Sequence, residues 1–171
     1  MLLELALAAA LAPEVYVIRS ENMLPRLKPG QRVEFDVSAR ERRVGEIVLF
    51  HPPEGAETNE CGEEPKRGAP CATPQGGPIT SMTFVARIVA VGGDRISMRR
   101  GRVVRNGKLE TRKHLRRCRL DEACDYPRTI TVPAAHVYIL GDNRGASDDS
   151  RFYGAVPVAQ VLGRYVRTVP R

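Results

Sequence analysis

The sequence predicts a mainly β domain, and three observations indicate this class. Apolar residues fall in short runs, many of them rich in Val and Ile, and no stretch has the apolar spacing of a long helix. The 15 glycines and 13 prolines are scattered between these runs, as expected for turns that join strands. A length of 171 residues with 42% hydrophobic and 27% charged residues suits one globular domain, with or without an inserted segment.

The predicted strands differ in how deeply they are buried. The run at 32–37 alternates with a period of two, which is typical of a half-buried strand. The runs at 46–50, 83–91 and 136–140 are continuously apolar and indicate central strands. Asn106-Gly107 supplies the two positive-φ positions of a type I′ turn and predicts a hairpin. In chain order the predicted strands lie at 14–18, 32–37, 46–50, 83–91, 95–98, within the hairpin 102–109, at 136–140 and at 164–169.

Three segments interrupt this strand pattern. Residues 54–80 are rich in Gly, Pro, Glu and Thr, and because strands resume directly after them we expect an insertion loop within a domain of residues 14–171. Residues 158–163 are expected to form a short turn or helix. The apolar run at 1–13 is about half as long as a bilayer-spanning helix. It is either the remnant of a membrane anchor or an apolar helix that lies on the domain.

The four cysteines form two local pairs, Cys61/Cys71 and Cys118/Cys124, both in polar, turn-rich sequence. Neither pair has the Cys-x-x-Cys spacing of zinc ligands, so no metal site is expected. Two short-loop disulfides are the favoured interpretation, which indicates an oxidising compartment. Four free thiols in a cytosolic protein are the alternative.

The net charge of +7 comes largely from arginine, since only four of the 27 basic residues are lysines. Much of the excess lies between Arg99 and Arg119, where Glu110 is the one acidic residue. A solvated hairpin is the favoured interpretation, and contact with an anionic membrane surface is the second. Nucleic acid is not an expected partner, because no aromatic residues interleave with these arginines to stack on bases.

Several segments resemble the bacterial type I signal peptidases. The run 141–154, GDNRGASDDSRFYG, resembles that family's glycine-aspartate-asparagine-arginine…serine-x-aspartate-serine-arginine signature. Residues 20–25, SENMLP, are similar to its serine-methionine-x-proline box, and 44–50 resembles the strand that follows. Residues 84–94, FVARIVAVGGD, resemble the box that carries the family's lysine. The resemblance implies a coiled antiparallel β-sheet and a serine–lysine peptidase that needs no cofactor.

Both catalytic positions implied by the resemblance are substituted. Asn22 stands at the nucleophile position and Ala86 at the general-base position, and neither an amide nor a methyl group can replace a serine and a neutral lysine. Ser20 matches the oxyanion-hole serine, and as a substitute nucleophile it would lie about 6–7 Å from the family's position. None of the four lysines lies in an apolar strand that would keep it neutral, and the histidines His51, His114 and His136 are conceivable bases. We therefore expect a signal-peptidase-like protein that does not hydrolyse peptides; the alternatives are an active peptidase with a rearranged dyad and a basic lipid- or nucleic-acid-binding module.

The resemblance also implies roles for other residues. Tyr16, Ile18 and Val85 match positions that line pockets for an extended signal peptide, although apolar strand residues are commonly ordinary core. Ser147 matches a serine that contacts the lysine, so we expect it near Ala86. The expected compartment is the periplasm, or the extracytoplasmic face of the plasma membrane. Four charged residues resemble a structural network beneath the site: Arg87, Asp142, Asp149 and Arg151.

Overall fold

A computed structural model describes residues 13–39, 41–111, 115, 116, 118 and 124–170. Their strands are short and Val- and Ile-rich, in the places where the sequence alternates or is continuously apolar. One four-residue helix and a 3₁₀ turn at Val158–Gln160 accompany them. The elements are β1 Glu14–Val17, β2 Arg32–Asp36, β3 Ile47–Phe50, β4 Phe84–Val91, β5 Arg95–Arg99, β6 Arg102–Arg105, β7 Lys108–Leu109, β8 Tyr126–Thr131, β9 His136–Leu140, α1 Ser150–Tyr153, β10 Val156–Pro157 and β11 Val161–Val169.

The strands form two sheets with antiparallel pairing throughout. The larger sheet has the order β1-β2-β11-β3-β4-β9-β10, and the smaller has the order β7-β6-β5-β8. Register shifts interrupt β11 and β4, which is where the larger sheet bends. The mainly β prediction with a coiled antiparallel sheet is therefore confirmed.

Three apolar clusters form the core, and two of them adjoin the segments that resemble the peptidase boxes. The cluster around Val33, Phe35 and Leu49 fills the space beneath β1 and also buries Met23. A second cluster contains Ala86 together with Phe50, Ile139 and Tyr153. The third lies between the two sheets around Ile96 and Tyr138.

Most predicted strands are confirmed to within two residues, but four elements differ from expectation, one of them the two-residue strand β10, which was not predicted. The last strand begins at Val161 rather than at 164, because the expected turn is confined to the 3₁₀ residues 158–160. Strand β8 was not predicted, because its exposed residues mask the period of two. Helix α1 was not predicted either, since four residues are too few for an apolar repeat.

The insertion loop lies between β3 and β4 and packs on the outside of α1 and β9. The main-chain N–H of Cys71 donates to the main-chain oxygen of Arg151 (3.0 Å), and the Tyr138 hydroxyl donates to the main-chain oxygen of Cys71 (2.9 Å). The structure places both cysteine pairs at disulfide distance, with 5.7 Å between the Cα atoms of each pair. Apart from Pro13, the apolar segment 1–13 lies outside the described residues. Among the residues that are described, no helix has the length and apolarity needed to cross a bilayer.

Candidate functional site

The segment that follows β1 carries Asn22 and is anchored from both sides. Met23 and Leu27 are fully buried in the core, and the Leu27 N–H donates to the Met23 oxygen. From the other side, the main-chain N–H of Asn143 donates to the main-chain oxygen of Asn22 (2.9 Å). The side-chain amide of Asn143 donates to the main-chain oxygen of Glu21 (3.1 Å). The position of Asn22 is therefore set by the core below it and by the segment after β9.

The side chain of Asn22 is engaged at both ends. Its Nδ2 donates to the main-chain oxygen of Val85 (2.7 Å), and its Oδ1 accepts a hydrogen bond from the Ser20 hydroxyl (2.7 Å). The Val85 oxygen belongs to the peptide bond that joins Val85 to Ala86. The position to which the resemblance assigns a nucleophile thus holds a carboxamide that cross-links two segments, and a carboxamide is not a useful nucleophile.

Ala86 lies in β4, opposite Val48 of β3, and only 3% of its surface is exposed. Its neighbour Arg87 pairs with Leu140 of β9, so the residue after β9, Gly141, lies beside Ala86. A Cβ atom at Gly141 would clash with the Ser147 hydroxyl and with the main-chain oxygen of Asn22. The fold therefore brings Asn22 and Ser147 together around Gly141, next to the Ala86 peptide.

Ser147 is a buried hydroxyl at this junction. The residue is 7% exposed, and its Oγ has no hydrogen-bond partner within the described ranges. A buried hydroxyl without a partner carries a desolvation cost, so such groups are uncommon in folded proteins. The family resemblance implies a lysine at position 86 as the partner of this serine, and this chain carries alanine there.

The four charged residues that the sequence grouped into one network form two buried ion pairs. Arg87 binds both carboxylate oxygens of Asp142, at 2.7 and 2.5 Å, and also donates to the Gly45 oxygen. Asp149 and Arg151 form the second pair, with Nε–Oδ1 at 2.7 Å and Nη2–Oδ2 at 3.0 Å. The two pairs are linked through the main chain. The Asp149 carboxylate also accepts a hydrogen bond from the Gly141 N–H (3.1 Å), and Gly141 directly precedes Asp142.

Asp149 has a second structural role as the N-cap of α1. Its carboxylate accepts a hydrogen bond from the main-chain N–H of Arg151, which is one of the free main-chain donors in the first turn of the helix. The Arg151 guanidinium also donates to the Ser147 oxygen (3.1 Å). Burial opposes the charge of Arg151, but the facing Asp149 carboxylate outweighs it, and the pKa of Arg151 is raised. The loop that presents Ser147 is therefore held by charge-assisted hydrogen bonds.

Tyr16, Ile18 and Val85, which the resemblance assigns to peptide pockets, all contact the cluster beneath β1. Ile18 is 4% exposed and belongs to the core, whereas Tyr16 and Val85 are half-buried at its border. The Tyr16 hydroxyl donates to the Glu14 carboxylate (2.5 Å), and this bond raises the pKa of Tyr16 to about 12. The border position leaves parts of Tyr16 and Val85 accessible.

Among the described residues, none of the candidate substitutes forms a nucleophile–base pair. Ser20 is exposed, and its hydroxyl donates to Asn22 rather than to a base. The described lysines, Lys28, Lys66 and Lys108, are exposed. The His51 ring contacts the main-chain oxygen of Met82, on the other side of the insertion. The His136 ring contacts the main-chain oxygen of Ala134, two positions earlier in the chain. Lys113 and His114 lie outside the described residues. Within those ranges, no three His, Cys, Asp or Glu side chains are grouped as a metal site.

Two site residues were missed by sequence reasoning. Asn143 binds the segment that carries Asn22, and Arg144 is 2% exposed, with an ion pair to Glu110 (2.8 Å). Arg144 also donates to the oxygens of Gly101 and Gly141, so it joins the site to the smaller sheet. Both residues are part of the signature at 141–154, which is the signal that could have found them. Their partners are far away in sequence and could not be read from it.

Comparison with known proteins identifies the family of this chain. Residues 1–169 match the family described as "Signal peptidase, peptidase S26". The chain is 27% identical to a probable signal peptidase I-1 of Synechocystis, over 95% of this chain and 76% of that protein. It is 30% identical to a signal peptidase I of Leptolyngbya laminosa, over 90% of this chain and 66% of that protein.

A crystal structure of a signal peptidase I from Enterococcus faecalis aligns with a TM-score of 0.46 and 21% identity, over 74% of this chain and 97% of that one. The family match covers nearly the whole sequence, including every segment that positions Asn22, Ala86 and Ser147. The chain therefore belongs to the signal peptidase (peptidase S26) family.

Proposed function

We propose that this protein is a non-hydrolytic member of the signal peptidase family that binds extended peptides, such as signal peptides, without cutting them. The observation that carries the proposal is the state of the two catalytic positions. Asn22 holds the Val85 oxygen with its amide, and Ala86 presents a methyl group where a base would stand. Neither can attack a carbonyl or remove a proton.

Two exposed backbone edges support the peptide-binding part of the proposal. Strand β1 is the outermost strand of the larger sheet. Strand β4 pairs with β3 along Phe84–Arg87, but β9 begins to pair with it only at Arg87, so among the described residues the start of β4 has no strand on its second side, where the Asn22 amide binds the Val85 oxygen. An extended peptide can add main-chain hydrogen bonds to such edges, and pockets for alternate side chains then provide selectivity. Tyr16 and Val85 border the space between them.

We further propose that the domain acts at the extracytoplasmic face of a membrane. Two disulfides are typical of oxidising compartments. Several relatives are named signal peptidases, and preproteins are the corresponding partners. No cofactor enters the proposed activity, because peptide binding at strand edges requires none.

The test combines a cleavage assay with a binding assay on one peptide that carries an Ala-x-Ala motif. Mass spectrometry should find the peptide intact, while fluorescence anisotropy should show binding. Amide NMR signals of residues 14–20 and 83–86 should shift on binding. A peptide methylated on its main-chain nitrogens is the matched control and should not bind, because it lacks the donors for a strand edge.

Two results would contradict the proposal. Cleavage by the unaltered protein that disappears in Ser20→Ala would establish the rearranged dyad instead. Equal binding of the methylated and unmethylated peptides would exclude strand addition.

A further inference from the structure

A second cleft lies away from the catalytic positions, between the smaller sheet and the turn before β3. Its volume is about 190 Å³. Val44 and Leu109 at its border are among the few large apolar side chains that remain exposed, at 38% and 37%. Its walls are apolar and its rim is charged, and the residues that matter here are Val44, Val89, Val103, Arg105, Lys108 and Leu109.

One border of the cleft is β7, the outermost strand of the smaller sheet, whose second edge has no strand neighbour in the part of the chain that the structure describes. Arg105 pairs with Lys108 across the Asn106-Gly107 turn, and the Glu110 N–H donates to the Val103 oxygen. Because hydrogen-bonding direction alternates along a strand, the N–H and C=O of Leu109, which lies between these bonded positions, point away from β6. Leu109 therefore offers main-chain groups to a further strand at the cleft.

The charge at the cleft is positive. Glu110 is the acidic residue in the lining, and the buried Arg144 neutralises it with an ion pair at 2.8 Å. Arg105 contacts Asp94 only at 3.4 Å, and its side chain remains 42% exposed. Lys108 is exposed. Lys108 thus supplies positive charge at the rim of the cleft, next to an apolar wall, and Arg105 shares its charge with the Asp94 carboxylate.

We propose that this cleft binds an extended acidic peptide segment, in which an aliphatic residue is followed two positions later by Asp or Glu. Residues two apart in a strand lie on the same face, so the aliphatic side chain enters the apolar cleft while the carboxylate meets Lys108 and Arg105. The open edge at Leu109 favours a peptide over a lipid, because a peptide can pair with its main-chain groups along the strand. This site is independent of the groove at Asn22.

The test measures binding of a fluorescein-labelled peptide, Thr-Val-Thr-Glu-Thr-Val-Thr-Glu, to the whole protein by anisotropy. A peptide with Lys in place of Glu is the charge control. We expect the acidic peptide to bind at least tenfold more tightly than the basic one and to shift the amide signals of Val44, Lys108 and Leu109. Lys108→Glu should weaken binding about fivefold or more, since it reverses a charge at the rim.

Lys28→Glu is the matched control, because Lys28 is an exposed lysine on another turn, and it should leave the affinity unchanged. Equal weakening by Lys28→Glu would mean that only net charge matters and would overturn the proposal. Shifts confined to residues outside the cleft would overturn it as well. If vesicles of anionic phospholipid shift Lys108 and Leu109 while the acidic peptide does not, the site binds lipid and the proposal is wrong.

Discussion

The carboxamide of Asn22 donates a hydrogen bond of 2.7 Å to the main-chain oxygen of Val85 and so ties the segment after β1 to the start of β4. These two segments carry the positions at which the family resemblance implies a nucleophile and a base. A serine at position 22 would be too short to make the same cross-link. Asn22 therefore makes a structural contact at the position where the resemblance implies a reactive group.

We predict that Asn22→Asp lowers the free energy of unfolding by about 1–3 kcal/mol, because a carboxylate cannot donate to the Val85 oxygen and leaves it unpaired. Urea denaturation measures the change. Gln31→Glu is the control, because Gln31 uses its side-chain oxygen as an acceptor for the Lys28 N–H and the carboxylate retains that oxygen. Equal stability of Asn22→Asp and the unaltered protein would show that the cross-link does not form in solution.

Hydrolysis should be absent from the unaltered protein and from each single restoration, Asn22→Ser or Ala86→Lys, because nucleophile and base act as a unit. The double variant Asn22→Ser/Ala86→Lys should cleave an Ala-x-Ala peptide at a measurable rate. Burial at position 86 lowers the pKa of a lysine, and the unpaired Ser147 hydroxyl lies at the same junction. Adding Ser147→Ala should reduce the regained rate. Equal rates for a single variant and the double variant would refute the paired requirement.

Removal of the Asp149 carboxylate should be strongly destabilising. Asp149→Ala removes the carboxylate that faces the buried Arg151 guanidinium and the acceptor of the Gly141 N–H, which we expect to cost about 3–5 kcal/mol in thermal or urea unfolding. Its neighbour Asp148 is exposed and accepts a hydrogen bond from the Asn59 amide, so Asp148→Ala should change stability by less than about 1 kcal/mol. Similar values for the two variants would contradict the structural role of the Asp149–Arg151 pair.

The cysteines should be linked in the mature protein as Cys61–Cys71 and Cys118–Cys124. Digestion without reduction should yield these two linked peptide pairs in mass spectrometry, and four free thiols would disprove the assignment. Reduction should lower stability by about 2–3 kcal/mol for each bond, because closing even short loops restricts the unfolded chain. The loops span 10 and 6 residues.

Tyr16 should titrate at about pH 12, and Glu14→Gln should bring its pKa closer to the ordinary value of 10. The Glu14 carboxylate accepts a hydrogen bond from the neutral phenol and repels the phenolate. Because the pKa is higher in the folded state, the contribution to stability is complete below pH 10 and is lost as the pH rises toward 12. NMR of ¹³C-labelled tyrosine reports this titration. Glu21→Gln, which changes an exposed carboxylate elsewhere, should leave it unchanged, and a normal Tyr16 pKa in the unaltered protein would refute the Glu14 contact.

Sequence patterns predicted the parts of this protein whose information is contiguous. Val- and Ile-rich runs located most strands, and the Asn106-Gly107 pair located the hairpin, because both signals arise within a few residues. Strand β8 escaped prediction because its burial depends on its partner β5, far away in the chain. Helix α1 escaped because its stability comes from the Asp149 cap and surrounding contacts rather than from an apolar repeat.

The sequence by itself determined the mainly β class, the family resemblance, and the presence of Asn22 and Ala86 at the positions where that resemblance implies a serine and a lysine. Only the tertiary structure decided which atoms those residues meet. The Asn22 amide reaches Val85 across 63 positions, and Arg87 reaches Asp142 across 55. Arg144 reaches Glu110 across 34 positions, so its partner could not be read from local spacing either. Residue identity is a local property, whereas a hydrogen bond or ion pair exists only once the folded sheets bring distant segments within about 3 Å.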